Sequence, residues 1–268
     1  MEVRGSALVT GASRGIGKGV ALELAKRGFD VLAGMRNPAD GADLHGVERV
    51  RLVRLDVTDP STIEVPDDLT VVVNNAGADV DHSPVEHSDA DGWRLMLETN
   101  VIGVLNVTKA ALPVLRANAP SVVATVTSSS ILMPVPFYAG YRASKAAASA
   151  VCDSLRMEVE GLGVRVLEVL PGPIDTDMWR AEVSSTSPAA QHAVYRAMAE
   201  RAIAARDAGA VPMLSTIEKA AVLIADAILA DSGPMRVGCD PMGAALIETW
   251  RTTPDEHLYA GMAAGLRG

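Results

Sequence analysis

The stretch "YRASK" (141–145) places a tyrosine and a lysine four residues apart, so a helix would present both side chains on one face. A free phenol has a pKa near ~10 and is a poor base at neutral pH, but a nearby ammonium favours its ionised form. Tyr138 and Arg142 share this spacing, but arginine holds its proton too firmly to shuttle it. Tyr141 and Lys145 are therefore the predicted catalytic pair. The alternative is an ordinary surface pair.

A second stretch, "TGASRGIG" (10–17), carries three glycines directly behind the apolar run "ALV". A strand that feeds a glycine-rich turn and then a helix exposes backbone N–H groups and the positive end of the helix dipole to an anion. Gly11, Gly15 and Gly17 therefore predict a loop that approaches a dinucleotide pyrophosphate closely. The alternative is a tight turn without a ligand.

Apolar, β-branched segments alternate with Ala-rich helical segments along the chain, which predicts a mainly parallel sheet covered on both faces. The predicted strands are 6–10, 29–35, 47–57, 70–77, 121–129, 164–172 and 235–240, and the predicted helices are 15–27, 89–116, 141–160 and 215–230. "STIE" (215–218) has a capping-box pattern at the start of the last helix. The connection "TDPSTIEVPDDL" is too short for a full crossover helix and predicts about one turn. A single domain, 1–268, is expected.

Lys and Arg number 24 against 33 Asp and Glu, a formal net charge of −9 that argues against general binding to nucleic acid or anionic membranes. The first strand follows the N-terminus too closely for a signal peptide, and no apolar run approaches the ~18 residues of a membrane span. Cys152 and Cys239 are expected to be reduced and packed. We therefore expect a cytoplasmic protein, and we predict no metal site.

Taken together, these stretches resemble the short-chain dehydrogenase/reductase family over nearly the whole chain. "TGASRGIG" is similar to the cofactor loop of that family, "NNAG" (74–77) to the turn after its fourth strand, and "YRASK" to its active-site helix. The resemblance implies an α/β, doubly wound (Rossmann-type), mainly parallel seven-stranded sheet with helices on both faces. It also implies a nicotinamide cofactor and, with the apolar stripes of the helices around 92–116 and 141–160, a homodimer or homotetramer.

The same resemblance assigns the catalytic roles. Ser128 would hold and polarise the substrate oxygen, with Ser129 and Ser130 as neighbouring candidates. Tyr141 would transfer the proton, while Lys145 would lower the pKa of the tyrosine and hold the nicotinamide ribose. Asn100 in "ETNVIG" would position a water on the proton path. The alternative for Asn100 is a residue that caps or breaks its helix.

The cofactor site combines the glycine loop with turns at the ends of other strands. The residues predicted to bind the cofactor are Gly11, Ser13, Arg14, Gly15, Ile16, Gly17, Arg36, Asp56, Val57, Asn75, Ala76, Gly77, Tyr141, Lys145, Pro171, Gly172, Ile174 and Thr176. By the resemblance, Asp56 and Val57 bracket the adenine and Thr176 faces the nicotinamide carboxamide. Asn75 and Gly77 could instead form only a turn, and Thr176 only a helix start.

The second strand ends in Met35 and Arg36 and lacks the acidic residue typical of NAD sites. Arg14 and Arg36 predict a preference for NADP(H), because two guanidinium groups can bind a 2′-phosphate. NAD(H) remains possible, since Asp40 and Asp43 could oppose the phosphate.

The predicted function is the interconversion of a secondary alcohol and a ketone, or another carbonyl, on a mostly apolar small molecule. Met178 and Trp179 are predicted to line the substrate site, with Ser128 and Tyr141, at the start of a lid segment defined as residues 178–214. The alternatives are an epimerase or dehydratase, and a non-catalytic cofactor-binding protein on the same fold.

Overall fold

Seven parallel strands form one sheet in the order β3-β2-β1-β4-β5-β6-β7. The computed structural model describes residues 2–80, 82–184 and 187–266. The strands are β1 (Ser6–Thr10), β2 (Asp30–Met35), β3 (Val50–Arg54), β4 (Leu69–Asn74), β5 (Ser121–Val126), β6 (Val164–Val169) and β7 (Arg236–Val237). The sheet order confirms the predicted doubly wound, Rossmann-type architecture.

Helices cover both faces of the sheet. They are α1 (Gly15–Lys26), α2 (Ala90–Leu97), α3 (Gly103–Ala117), α4 (Ala139–Val159), α5 (Asp177–Ser184), α6 (Arg196–Gly209), α7 (Ile217–Leu229), α8 (Pro241–Thr252) and α9 (Asp255–Leu266). Alternate strand residues point to opposite faces, so Val71 and Val73 pack with α1 and α7, whereas Val72 packs with α3 and α4. The result is two apolar cores separated by the sheet.

The crossover between β3 and β4 is reduced to one short turn, Pro60–Thr62, as its sequence predicts. The side chain of Asp59 accepts a hydrogen bond from the backbone N–H of Ser61 and caps this turn. The Thr62 hydroxyl then bonds back to the backbone that precedes the turn, at Asp56 and Asp59. The missing helix is replaced by a hydrogen-bonded loop that fixes residue 56.

Several boundaries differ from the predictions. Helix α7 begins at Ile217, not at residue 215, because Ser215 is buried and bridges to Ile174, which leaves Thr216 to cap the helix. Strands β3 and β6 are shorter than predicted, and β7 contains only two residues. Helices α8 and α9 were not predicted, although Asp240 followed by a proline is a typical helix start.

Helices α2 and α3 form one continuous helical rod through a π-helical turn, Glu98–Ile102. Contrary to the prediction, the helix over 90–117 is long and apolar enough to cross a membrane by length and composition. The core helix of a soluble protein passes the same test, and Val107, Ala111 and Leu115 of this helix pack in the core against the sheet. The composition is therefore weak evidence for a membrane span.

Candidate active site

The glycine loop follows β1 at the carboxyl edge of the sheet and adopts a conformation that demands glycine. Gly11 and Gly15 have φ angles of +64° and +56°, which L side chains rarely adopt. A Cβ atom at Gly17 would lie 2.3 Å from Asn75 Nδ2 and 2.5 Å from the Gly11 oxygen. Arg14 precedes the first helical residue and makes no side-chain cap. The start of α1 therefore retains backbone N–H groups that a phosphate can bind.

Two polar side chains join this loop to the 74–77 turn. The Thr10 hydroxyl accepts hydrogen bonds at 3.0 Å from the backbone N–H groups of Asn75 and Ala76. In return, Asn75 Nδ2 donates to the Thr10 and Gly11 carbonyl oxygens at 2.9 and 3.3 Å. Asn75 is thus more than a turn former, because it fixes the glycine loop against the neighbouring strand.

The residues predicted around the adenosine lie at the ends of β2 and β3. Asp56 Oδ1 accepts hydrogen bonds from the Thr58 N–H and hydroxyl, and Val57 is buried beside Gly103. Arg14 and Arg36 are both exposed, as are the loop carboxylates that follow β2.

Those two carboxylates each have a partner. Asp43 forms an ion pair with Lys18 of α1, which holds the pKa of Asp43 below its usual range. Asp40 accepts a hydrogen bond from Asn37 Nδ2 at 3.3 Å. The loop is therefore held against α1 by an ion pair, with the Asp43 charge already balanced.

The predicted nicotinamide segment lies on the other side of the glycine loop. Its first residue, Pro171, accepts a hydrogen bond from the Ser129 N–H at 2.9 Å. Ile174 is buried, and the Thr176 methyl lies 3.4 Å from where a Cβ of Gly15 would be. The fold thus brings the 171–176 segment, the glycine loop and the serine turn together.

One support of this segment was missed by the sequence reasoning. Asp240 accepts hydrogen bonds from the Gly172 N–H at 2.6 Å and, as the cap of α8, from the Gly243 N–H at 2.9 Å. A Cβ at Gly172 would lie 2.5 Å from Asp240 Oδ1. Burial raises the pKa of Asp240, although its backbone hydrogen bonds oppose the shift. The aspartate–proline pair signals a helix start in the sequence, but no local signal shows that Asp240 also binds Gly172, 68 residues away.

The predicted catalytic side chains meet at the carboxyl ends of β4 and β5. Ser128 lies close enough to Tyr141 to lower the pKa of its phenol, and Ser128 Oγ lies 2.9 Å from Ser130 Oγ. Lys145 Nζ lies 5.8 Å from the Tyr141 ring centroid and donates to the Val126 carbonyl at 2.9 Å. The fold thus favours Ser128 over its neighbours as the serine paired with the tyrosine.

Burial dominates the pKa shifts of this pair. Burial raises the pKa of Tyr141, the charges of Asp79 and Glu182 raise it further, and the Ser128 hydrogen bond opposes them. Burial lowers the pKa of Lys145 to about 8. Desolvation thus dominates the pKa values of both groups, and the lowering of the tyrosine pKa by Lys145 stays a prediction.

Asn100 is buried in the π-helical turn and neither caps nor breaks the helix. Its side-chain amide accepts from the Ala78 N–H at 2.8 Å and donates to the Ala78 carbonyl at 2.9 Å. Nδ2 also donates to Ser144 Oγ at 2.8 Å, and Ser144 in turn donates to the Tyr141 carbonyl. Asn100 therefore connects the turn after β4 to the active-site helix α4.

Tyr138, the competing tyrosine, is engaged elsewhere. Its hydroxyl donates to Glu182 of α5, and burial and the Glu182 charge raise its pKa. Arg142 donates from Nε to the Ser130 carbonyl at 2.8 Å. These contacts favour Tyr141 as the proton-transferring residue and make Tyr138 a contact between the site and the lid segment.

The predicted substrate residues Met178 and Trp179 lie in the first turn of α5. The Thr176 hydroxyl accepts a 3.3 Å hydrogen bond from the Trp179 N–H. Met178 is exposed, whereas Trp179 is half-buried. Residues 185 and 186 of the lid segment lie outside the described residues.

A nicotinamide dinucleotide fits these residues by the shape of the backbone. At Gly77 a Cβ would lie 3.4 Å from both Asn100 Oδ1 and Lys145 Nζ, so the absence of a side chain leaves space beside the lysine. The open start of α1 provides the pyrophosphate contacts. Within the described ranges, no cluster of three or more His, Cys, Asp or Glu side chains could hold a metal ion.

Comparison with known proteins agrees with this geometry. The sequence profile described as "short chain dehydrogenase" matches residues 6–187. An uncharacterised short-chain type dehydrogenase/reductase of Sinorhizobium fredii is 35% identical over 65% of this chain and 71% of its own. A sulfoacetaldehyde reductase of Chromohalobacter salexigens is 33% identical over 70% of this chain and 79% of its own. The crystal structure of a Burkholderia cenocepacia short chain dehydrogenase in complex with NADP covers 100% of both chains with a TM-score of 0.78 and 28% identity.

The chain therefore belongs to the short chain dehydrogenase family. Members of this family among the relatives are named as oxidoreductases, reductases and dehydrogenases. The resemblance stated from the sequence is confirmed at the level of family, fold and enzyme class.

Proposed function

We propose that the protein is an NADP(H)-preferring oxidoreductase that interconverts a secondary alcohol and a ketone, or another carbonyl, on a mostly apolar small molecule. The observation that carries the proposal is that Ser128 acts directly on the Tyr141 phenol and lowers its pKa, while Lys145 Nζ lies 5.8 Å from the tyrosine ring centroid. A hydroxyl and a phenol that face each other can bind one carbonyl oxygen between them.

A bound nicotinamide supplies or accepts the hydride, and the protein orients the reactants and provides the electrostatic environment around them. The Ser128 hydroxyl holds and polarises the carbonyl oxygen. Tyr141, kept protonated by its raised pKa, donates its proton to that oxygen in the reducing direction. Lys145 has a pKa of about 8 and can therefore exchange a proton near neutral pH. Asn100 fixes the turn beside Lys145 and, as the family resemblance implies, holds a water on the path to solvent.

The test compares Tyr141→Phe with Tyr138→Phe. Reduction of a panel of ketones and aldehydes is measured with NADPH and NADH, and cofactor binding is measured separately. Tyr141→Phe should reduce turnover by about three orders of magnitude with cofactor binding intact, because only the proton donor is lost. Tyr138→Phe should be mild. The reverse ranking would contradict the assignment, and a parent inactive on every carbonyl would favour a non-catalytic or epimerase-type function.

The NADP(H) preference is supported by two exposed guanidinium groups, Arg14 and Arg36, near the end of β2. The carboxylate of Asp43, which could oppose a 2′-phosphate, is already paired with Lys18. The Burkholderia dehydrogenase, 28% identical, is described in complex with NADP. These observations support a 2′-phosphate site at the carboxyl end of β2.

We also propose that the protein is a cytoplasmic homodimer or homotetramer. Large apolar side chains remain exposed on the rod formed by α2 and α3, notably Leu95, Ile102 and Leu105. A second copy that packs on this surface would bury them. Light scattering at micromolar concentration tests the assembly, and a monomer would refute it.

The lid segment is proposed to move over the substrate. It comprises two short helices, α5 and α6, separated by loops, and most of its residues in the described part are not buried. Such segments open at low cost. Hydrogen exchange as slow in α6 as in β4 and β5, with and without ligands, would contradict a mobile lid.

A further inference from the structure

A largely buried carboxylate lies two residues after Gly77, where a Cβ would be 3.4 Å from Lys145 Nζ, and it has no part in the proton transfer described above. Asp79 directly follows Ala78, whose N–H and carbonyl are both bound by the Asn100 amide. The Asp79 side chain is only 7% exposed, and its Oδ1 lies 2.9 Å from His82 Nε2. The clamp on residue 78 therefore fixes the start of a turn that carries a negative charge into the site.

This carboxylate begins a row of polar side chains that runs from the turn after β4 to the lid segment. The His82 ring stacks on the Tyr138 ring with centroids 4.2 Å apart. The Tyr138 hydroxyl binds Glu182 of α5, and Glu182 lies 3.7 Å from Arg206 of α6. One side of the substrate region is thus bounded by Asp79, His82, Tyr138 and Glu182. A substrate whose oxygen binds between Ser128 and Tyr141 would extend its substituents along this row.

The charge of Asp79 acts on both members of the catalytic pair, because it raises the pKa of Tyr141 and of Lys145. Negative charge from Asp79 and Glu182 raises the pKa of Tyr141 and so disfavours the phenolate. If the only role of residue 79 were to hold His82, an asparagine could make a similar hydrogen bond without this electrostatic cost. The distinctive property of an aspartate here is its charge, which already favours the charged form of Lys145 and which a cationic substrate group would complement further.

We propose that Asp79 is a specificity-determining residue that selects substrates with a positively charged group near the reacting carbonyl, and that it selects against anionic ones. The inference rests on the proposed oxidoreductase function and deepens it. The rest of the substrate remains apolar, against Met178 and Trp179 of the lid segment.

Three aldehydes of the form OHC–CH₂–X, nearly matched in shape, isolate the charge. In trimethylammonioacetaldehyde X is cationic, in 3,3-dimethylbutanal it is neutral, and in sulfoacetaldehyde it is anionic. A unit charge about 7 Å from a carboxylate, at an effective dielectric of about 20, predicts a kcat/KM on the order of 10- to 50-fold higher for the cationic than for the neutral aldehyde. The anionic aldehyde should be poorer than the neutral one by a similar factor.

Asp79→Asn preserves the size and hydrogen bonding of the side chain and removes its charge. We expect the spread between the three aldehydes to fall to about threefold, because the charge that separates them is removed. Asp91→Asn, an exposed change on α2, should retain the parental ranking. An equal rate with all three aldehydes in the parent, or an unchanged ranking in Asp79→Asn, would overturn the inference.

Failure of the proposed function would have a different signature. If no carbonyl is reduced with either cofactor, the oxidoreductase proposal fails, and the charge selection is then decided by binding alone. Calorimetry of the NADP-loaded protein would compare choline with its neutral isostere, 3,3-dimethylbutanol. Tighter binding of choline in the parent, lost in Asp79→Asn, supports the inference, whereas equal binding of the two alcohols refutes it.

Discussion

Replacement of Lys145 by methionine should change how the stability of the protein depends on pH. The lysine side chain is 6% exposed, and burial lowers its pKa from 10.5 to about 8, with the Asp79 charge partly opposing the shift. Its hydrogen bond to the Val126 carbonyl does not prevent this desolvation. A methionine of similar length keeps most of the packing and carries no proton to titrate.

The magnitude follows from the difference between the folded and unfolded pKa values. A fall from 10.5 to about 8 corresponds to about 3 kcal/mol at about 1.4 kcal/mol per tenfold change in proton affinity. Below pH 8 the lysine is charged in both states, so the folded protein bears the whole penalty. Between pH 8 and 10.5 the unfolded chain binds more protons than the folded one, and the free energy of unfolding therefore rises with pH. Above that window the penalty is absent.

Urea unfolding of the parent and the Lys145→Met variant, from about pH 7 to about pH 10, measures this contribution. Other groups shift the other way, since burial raises the pKa of Cys152 to about 11, but such groups are present in both proteins. The unfolding free energy of the parent minus that of Lys145→Met should rise by about 2 kcal/mol from about pH 7 to about pH 10. Lys219→Met, an exposed change on α7, is the control and should show no such movement. A constant difference between parent and Lys145→Met would refute the reasoning.

Five further substitutions, at four positions, test the cofactor site. Arg36→Asp should shift the ratio of kcat/KM values for the two cofactors toward NAD(H) by about tenfold or more, and Arg14→Ala should weaken the binding of NADP(H) but not of NAD(H). A parent enzyme that clearly prefers NAD(H) would contradict both predictions. Gly17→Ala should lower the free energy of unfolding by about 1–3 kcal/mol and abolish dinucleotide binding by calorimetry, because its Cβ would lie 2.3 Å from an amide nitrogen. Asp240→Ala should lower the free energy of unfolding in urea by about 2 kcal/mol and raise the cofactor Kd, because the N–H groups of Gly243 at the start of α8 and of Gly172 both lose their acceptor. Asp240→Asn should recover part of the lost stability and part of the lost affinity. An unchanged Kd would show that Gly172 is held by other contacts.

Local chemistry in the sequence was sufficient to predict the parts of the site that lie on one element. The glycine loop is readable because strand, turn and helix follow one another directly, and Tyr141 and Lys145 because a helix fixes the geometry of residues four apart. The start of α7 shows the limit. Ser215 and Thr216 can both cap a helix, but burial and the bridge to Ile174 engage Ser215, and that contact is not visible in the local pattern.

The supports of the site could not be predicted, because they join residues far apart in the chain. Asp240 binds Gly172, Asn100 binds Ala78, and Tyr138 binds Glu182, with 22 to 68 residues between partners. Hydrophobic periodicity places such residues on elements but gives no distance between their side chains. These contacts become visible only when the helices and loops are packed around the carboxyl edge of the sheet.

The active site is also an electrostatically unfavourable part of the fold. Burial favours the neutral forms of both Tyr141 and Lys145, and Asp79 raises the cost of ionising the tyrosine further. Positive charge beside the phenol favours the phenolate, and Lys145, which is charged below about pH 8, is one source of such charge in the chain. In the protein alone the tyrosine holds its proton. Under the proposed function, a bound oxidised nicotinamide would add positive charge beside Tyr141 and so favour proton abstraction from an alcohol.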